Sequence, residues 1–147
     1  MKKAIAILCV SLAALMLFAA CQAQPASAPA ASALPPERVE ELHALSVQFT
    51  DYLNTGAIEA AMGRMDETMT TAMDGKLEQT WTQIVGSAGA FVETGAYIGT
   101  ASDEYAALEM TLVFENASVI QRVVFDSNNQ ISGLHYRNGA IDNTGED

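Results

Sequence analysis

In the second half of the chain, apolar residues alternate with polar ones, the period that puts them on one face of a pleated strand. Leu108, Met110, Leu112 and Phe114 share one face, and Glu109, Thr111, Val113 and Glu115 share the other. Strands are predicted over 105–115, 118–126 and 131–137. With Asn116-Ala117 as the turn, Phe114 pairs with Val119, Met110 with Val123 and Leu108 with Phe125, all on the apolar face. Gln121, then opposite Leu112, is the one polar residue in that row. On the reverse face Thr111 opposes Arg122 with Glu109 diagonal to it, a surface ion pair worth little. Pairing Asp126 with Ile131 adds Leu134 and Tyr136 to the apolar face and turns His135 outward. A slip of one residue, or a bulge at Gly133, would turn His135 inward. Residues 91–100 read as a further strand weakened by Gly95 and Gly99, where glycine marks a bend or a close approach. Ser102-Asp103-Glu104 is the turn that follows it.

Ahead of the strands the period changes to three and four. Pro35-Pro36 with Glu37, Glu40 and Glu41 marks a helix start, since proline lacks a donor the first turn leaves unused and acids suit the positive end of the dipole. Val39, Leu42, Leu45, Phe49, Tyr52 and Leu53 form its apolar stripe, with His43 roughly a third of a turn away as a solvated flank. Asn54-Thr55-Gly56 stops this helix. Ile58, Met62, Met65, Met69 and Met73 carry the helical spacing through one or two short helices, with Asp66 as a cap and Asp74-Gly75 as the end. Thioether chains suit adaptable apolar surfaces, but these methionines read first as core filler under the sheet. Leu77, Trp81, Ile84, Val85 and Ala88 form the last stripe, which Gly86 and Gly89 close.

The N-terminus has a different grammar. Lys2-Lys3, an apolar run over 4–18 and then small residues make the three-part pattern of a secretory signal peptide, too short for a membrane span. Ala19-Ala20-Cys21 resembles the bacterial lipoprotein box, although Phe18 stands where leucine is most frequent. The resemblance implies cleavage before Cys21 and lipidation of that residue, anchoring the chain to a bilayer. Each buried methylene would contribute about 0.8 kcal/mol. Residues 22–35 are mostly alanine, serine and proline without charge, the composition of an extended tether. The expected organisation is a leader over 1–20, a tether over 21–35, a folded domain over 36–138 and a frayed acidic tail over 139–147.

Charge and motif content narrow the chemistry. The net charge is −11; without Lys2 and Lys3, five basic residues face 18 acidic ones. Such a surface repels phosphate and argues against nucleic acid as a partner. Both cysteines, Cys9 and Cys21, fall in the leader region, so the domain has neither disulfide nor thiol chemistry. Ser87 lacks the first glycine of a nucleophile elbow, and the two histidines are far apart with no cysteine to join them in a zinc site. Residues 126–130 imitate a calcium loop, but Ile131 and Arg137 occupy the glycine and glutamate positions. No cofactor or metal site is expected. Asp66, Glu93 and Glu109 are the candidate acid–base groups, each with a simpler role as a cap or a solvated residue.

The stretches Phe49-Thr-Asp-Tyr-Leu-Asn-Thr-Gly56, Met65-Asp-Glu-Thr-Met69, Leu77 to Trp81, Gly89-Ala-Phe91, Val123-Val-Phe-Asp126 and Ile131-Ser-Gly-Leu134 resemble, in this order, a bacterial family. It is the small domain of unknown function 3887, seen in envelope lipoproteins and ahead of alpha/beta-hydrolase domains. The resemblance spans about 39–136 and implies an α+β fold of the nuclear-transport-factor-2-like, cystatin-like kind. Three to four N-terminal helices would pack on a curved four-stranded antiparallel sheet, with a cone-shaped cavity between. The chain stops where a hydrolase would begin, so no activity carries over. The expectation is a lipid-anchored extracytoplasmic binding or accessory domain. Trp81, Phe91, Met110, Phe114, Gln121 and Tyr136 are its candidate cavity lining, for a small apolar ligand. Two alternatives stand beside it: an interaction module pairing with a second copy, a hydrolase or another envelope partner, and a small ketosteroid-isomerase-like enzyme using a cavity carboxylate.

Overall fold

A computed structural model of the chain describes residues 32–102 and 104–141. The leader and Cys21, the tether as far as residue 31, and 142–147 lie outside the described residues. The elements follow in the order β1 (Ser32–Ala33), α1 (Pro36–Asn54), α2 (Ile58–Met62), α3 (Glu67–Met73), α4 (Leu77–Ala88), β2 (Phe91–Ala101), β3 (Ala106–Phe114), β4 (Ser118–Phe125) and β5 (Ile131–Asn138). Among the described residues the architecture is α+β: four helices and one antiparallel sheet in the order β1-β2-β3-β4-β5. Among the described residues no helix is long and apolar enough to cross a membrane.

The sheet has five strands, not the expected four, because the end of the predicted tether joins it. Ser32 pairs with Ala101 and Ala33 with Thr100. Two small residues carry no periodicity, so only tertiary proximity reveals this strand. That proximity comes from Gly99: a Cβ there would lie 2.8 Å from Val39 Cγ2 and 3.1 Å from Leu34 Cδ1. The bare glycine lets the entry to α1 lie directly on β2 and brings the preceding residues alongside its edge.

The helical caps follow local chemistry. Pro36 opens α1, and Gly56 follows it at φ 73. Asp66 caps α3, its Oδ1 accepting from Met69 N–H at 2.7 Å. The helix α4 continues through Gly86 to Ala88, however, and ends only at Gly89 with φ 90. A Cβ on Gly89 would sit 2.6 Å from Asn116 Nδ2 and 2.9 Å from Glu115 Cβ, so the loop after β3 presses against this turn.

That contact also sets the β3–β4 register. Glu115 N–H donates to Ala90 carbonyl at 3.0 Å and Asn116 N–H to Ala88 carbonyl at 2.8 Å. With these donors bound outside the hairpin, the connection widens to four residues, Val113 pairs with Ser118, and the pairing moves two residues from that expected. Leu108 faces Val123, Leu112 faces Val119, and Gln121 faces Met110 rather than Leu112. A shift of two preserves the faces, because side chains alternate with period two. Glu109 now lies directly opposite Arg122 instead of diagonal to it.

In the β4–β5 pair the expected register holds from Val124–Gly133 onward, and His135 is exposed opposite Arg122. An irregularity before it lets Phe125 pair with Ile131, so Ile131, Leu134 and Tyr136 all reach the helix side. Leu42, Phe49 and Leu53 of α1 close on Leu108, Met110, Leu112, Val123 and Phe125, all 2 % exposed or less. Met65 is buried with them, while Met62, Met69 and Met73 pack against the core from its rim.

Residues 139–141, expected in a frayed tail, cross the opposite side of the sheet. Gly139 N–H donates to Ser118 carbonyl at 3.0 Å, and Ile141 N–H to Thr111 Oγ1 at 2.9 Å. Thr111 and Ile120, which point away from the helices, are 4 % and 2 % exposed.

Candidate functional site

Of the six predicted lining residues, three form one aromatic group. Trp81 and Phe91 lie 6.2 Å apart between ring centroids, Trp81 and Phe114 5.8 Å, and Phe91 and Phe114 5.7 Å. Their tilted and edge-on geometries are those in which ring quadrupoles attract. Met110 is fully buried in the same core cluster. Gln121 and Tyr136 form a second group: Gln121 Nε2 donates to Tyr136 Oη at 3.1 Å, and Gln121 Oε1 accepts from Thr50 Oγ1 at 3.0 Å. Burial pushes the Tyr136 phenol above its ordinary pKa, and the Gln121 amide only partly offsets this. Thr50 also donates to Ser46 carbonyl at 2.9 Å, while the buried Ser46 Oγ has no partner.

Ser46 and Thr50 escape a reading of the α1 stripe that rests on its large residues alone. Their spacing from Leu42, Phe49 and Leu53 places them at the centre of the buried face, and that spacing is the signal that could have found them. His43 departs from expectation as well. Rather than a solvated flank, it is half-buried and stacked on Tyr97, with centroids 3.7 Å apart and planes at 9°. Tyr97 Oη donates to Glu40 Oε1 at 2.7 Å. Burial holds the His43 pKa below its ordinary value against the opposing charge of Glu40, and its Nε2 has no hydrogen-bond partner.

The three candidate carboxylates do not converge. Asp66 is the α3 cap, and Glu93 is exposed on β2. Glu109 lies on the outer sheet face, where Arg122 Nη1 reaches its Oε1 at 2.9 Å and Arg137 Nη2 its Oε2 at 2.8 Å. Partial burial raises the Glu109 pKa, but the two guanidiniums outweigh it and bring the group below its ordinary value. Among the described residues no cluster of three potential metal ligands occurs.

Space for a ligand gathers around α4. This helix rests on the rest of the fold through Leu77, Trp81 and Ala88, the buried positions of a stripe whose Ile84 and Val85 stay half-exposed. On its α2 side lie two adjoining clefts. One, of about 410 Å³, is lined by Ile58, Met62, Met73 and Leu77; the next, of about 290 Å³, by Leu53, Ile58, Trp81 and Val85. They share Ile58 and Glu78. On the other flank a more polar cleft of about 490 Å³ runs between Ile84, Ala88, Val119 and Tyr136. Trp81 and Tyr136 thus reach opposite flanks of one helix. The methionine run contributes Met62 and Met73 to the apolar side, a surface of the adaptable kind.

No curated protein and no solved structure matches this chain. The family model described as a protein of unknown function (DUF3887) matches residues 46–134, from the middle of α1 into β5, and the chain belongs to that family.

Proposed function

We propose that this chain is a lipid-anchored, extracytoplasmic binding module of the bacterial cell envelope, which takes a small apolar molecule into the clefts beside Trp81. The observation that carries the reading is the pair of adjoining clefts between α2 and α4, with Ile58 lining both, Met62 and Met73 the wider and Trp81 the narrower. Ligand sites are concave and largely apolar with a few polar groups, and this is the region of the fold that combines those features. The anchor is supported by the Lys2-Lys3 leader pattern and by Cys21 following Ala19-Ala20. Four helices against one face of an antiparallel sheet support kinship with the nuclear-transport-factor-2-like, cystatin-like folds.

Trp81 is the only tryptophan, so its fluorescence reports on the clefts directly. Screening apolar metabolites should find compounds that shift that emission and raise the melting temperature. An unresponsive tryptophan across the whole library would remove the reading. For the anchor, labelled palmitate should appear on the protein and vanish in Cys21→Ala; label persisting on the variant would place the acyl group elsewhere.

A second reading, as a protein-interaction module, is favoured by β2. Its edge from Phe91 to Gly99 has no neighbouring strand among the described residues, and Val92 and Ile98 along it are 57 % and 45 % exposed. Reproducible crosslinked adducts through β2 in intact cells are expected on that reading and would be absent for a module that binds small molecules alone.

A further inference from the structure

The clefts beside Trp81 carry a charge pattern that their apolar walls do not require. Glu59 and Asp74 line the wider cleft, and Glu78 lines both. No lysine, arginine or histidine lines either one. Lys76, next to Gly75 at the start of α4, is the basic residue nearest in sequence and is not among the lining residues. The three carboxylates belong to exposed residues of α2, of the turn after α3 and of α4, so they ring the apolar space from separate elements. An apolar trough with a one-signed rim selects by charge as well as by hydrophobicity: the tail of a ligand leaves water against the walls while its head meets the rim field.

We infer that the occupant of these clefts is an amphipathic cation: one alkyl or similarly apolar tail lying along Met62, Met73, Ile58 and Trp81, with an ammonium-type head against Glu59, Asp74 and Glu78. This rests on the reading of the clefts as a ligand site. The length fits a single short chain. From Leu77 to Val85 the helix rises about 12 Å at about 1.5 Å per residue, enough to accommodate a single short alkyl tail. An anionic amphiphile of the same length would place its head against three carboxylates and is disfavoured. A neutral one gains the tail contacts alone. The selectivity thus resides in the rim and the basic affinity in the walls, so the two are separable by substitution.

The test uses the full chain anchored to phosphatidylcholine vesicles, with Trp81 emission as the readout and three eight-carbon probes: octyltrimethylammonium, octanol and octanoate. The cation is expected to bind about tenfold tighter than the alcohol, and octanoate weaker than either. In Glu59→Gln/Asp74→Asn/Glu78→Gln the ratio of cation to octanol affinity should fall to about one. Equal affinity of cation and alcohol for the native chain overturns the inference while leaving an apolar site intact. A cationic preference that survives in the triple variant also overturns it, since the excess of acidic residues over the whole chain would then be its source. Silence of Trp81 toward all three probes removes the ligand site itself, and with it both readings.

Discussion

Gln121, in the middle of β4, reaches across the core to Thr50 on α1, with Oε1 3.0 Å from Oγ1, and both residues are wholly buried. One hydroxyl hydrogen of Thr50 faces two acceptors, the Gln121 amide and the Ser46 carbonyl, while Tyr136 Oη takes the other end of the amide. The contact therefore couples helix to sheet through a polar line inside an apolar layer. Buried polar groups are costly only when left unpaired, so the members of such a line depend on one another.

That dependence is measurable. Thr50→Val should destabilise the fold by about 1–3 kcal/mol, because it leaves the Gln121 oxygen without its donor, and Gln121→Met should cost about 1 kcal/mol, because the Tyr136 hydroxyl loses its donor while Thr50 keeps the Ser46 carbonyl. The double variant should be less destabilised than the two single effects added together, by roughly 1 kcal/mol, since it removes both partners at once. Urea unfolding of the four proteins checks this; strict additivity would show that the two side chains act independently.

On the opposite side of the sheet, Glu109 holds Arg122 and Arg137 together. Its folded pKa is depressed, so the stabilisation is present above the unfolded carboxylate value and is lost as pH falls through the folded one. Glu109→Gln should flatten the acid limb of the stability profile below about pH 4.5. At neutral pH it should cost on the order of 1 kcal/mol, because both guanidiniums remain largely solvated. Parallel acid limbs for the two proteins would show that the ion pairs contribute nothing.

His43 works through the same linkage. Its folded pKa is also lowered, by burial against Tyr97, so folding favours the neutral ring. Stability should be full above the unfolded value of about 6.5 and decline as pH falls toward the folded pKa. In His43→Phe, which keeps a ring against Tyr97, the slope between about pH 7 and 5 should diminish. Thermal melts across that range decide it, and an unchanged slope would assign the pH response to other groups.

Two glycines at the end of α4 should respond in opposite directions. Gly86 lies inside the helix, and a methyl added there would have nothing within 4 Å, so Gly86→Ala should stabilise by about 0.5–1 kcal/mol through helix propensity. Gly89→Ala should destabilise by about 1–3 kcal/mol, because φ is +90 and the methyl would meet Asn116 and Glu115. Circular dichroism melts of both variants give the comparison. Equal shifts would mean that the contact between α4 and the β3–β4 loop is soft.

The sequence by itself determined the kinds of elements, their approximate bounds and the faces they bury. Those properties are set by periods of two and of three to four residues, and by local chemistry such as the Asp66 cap. It also singled out Trp81 and the methionine run, whose side chains are conspicuous wherever they fall. Only the tertiary structure decided how these pieces meet. The register of β3 on β4 depends on two amide donors spent on Ala88 and Ala90. Strand β1 exists because Gly99 lets Leu34 and Val39 come close, and the clefts lie where residues of α1, α2 and the turn after α3 meet the flank of α4. Each of these depends on contacts between distant positions, for which the local hydrophobic pattern carries no signal.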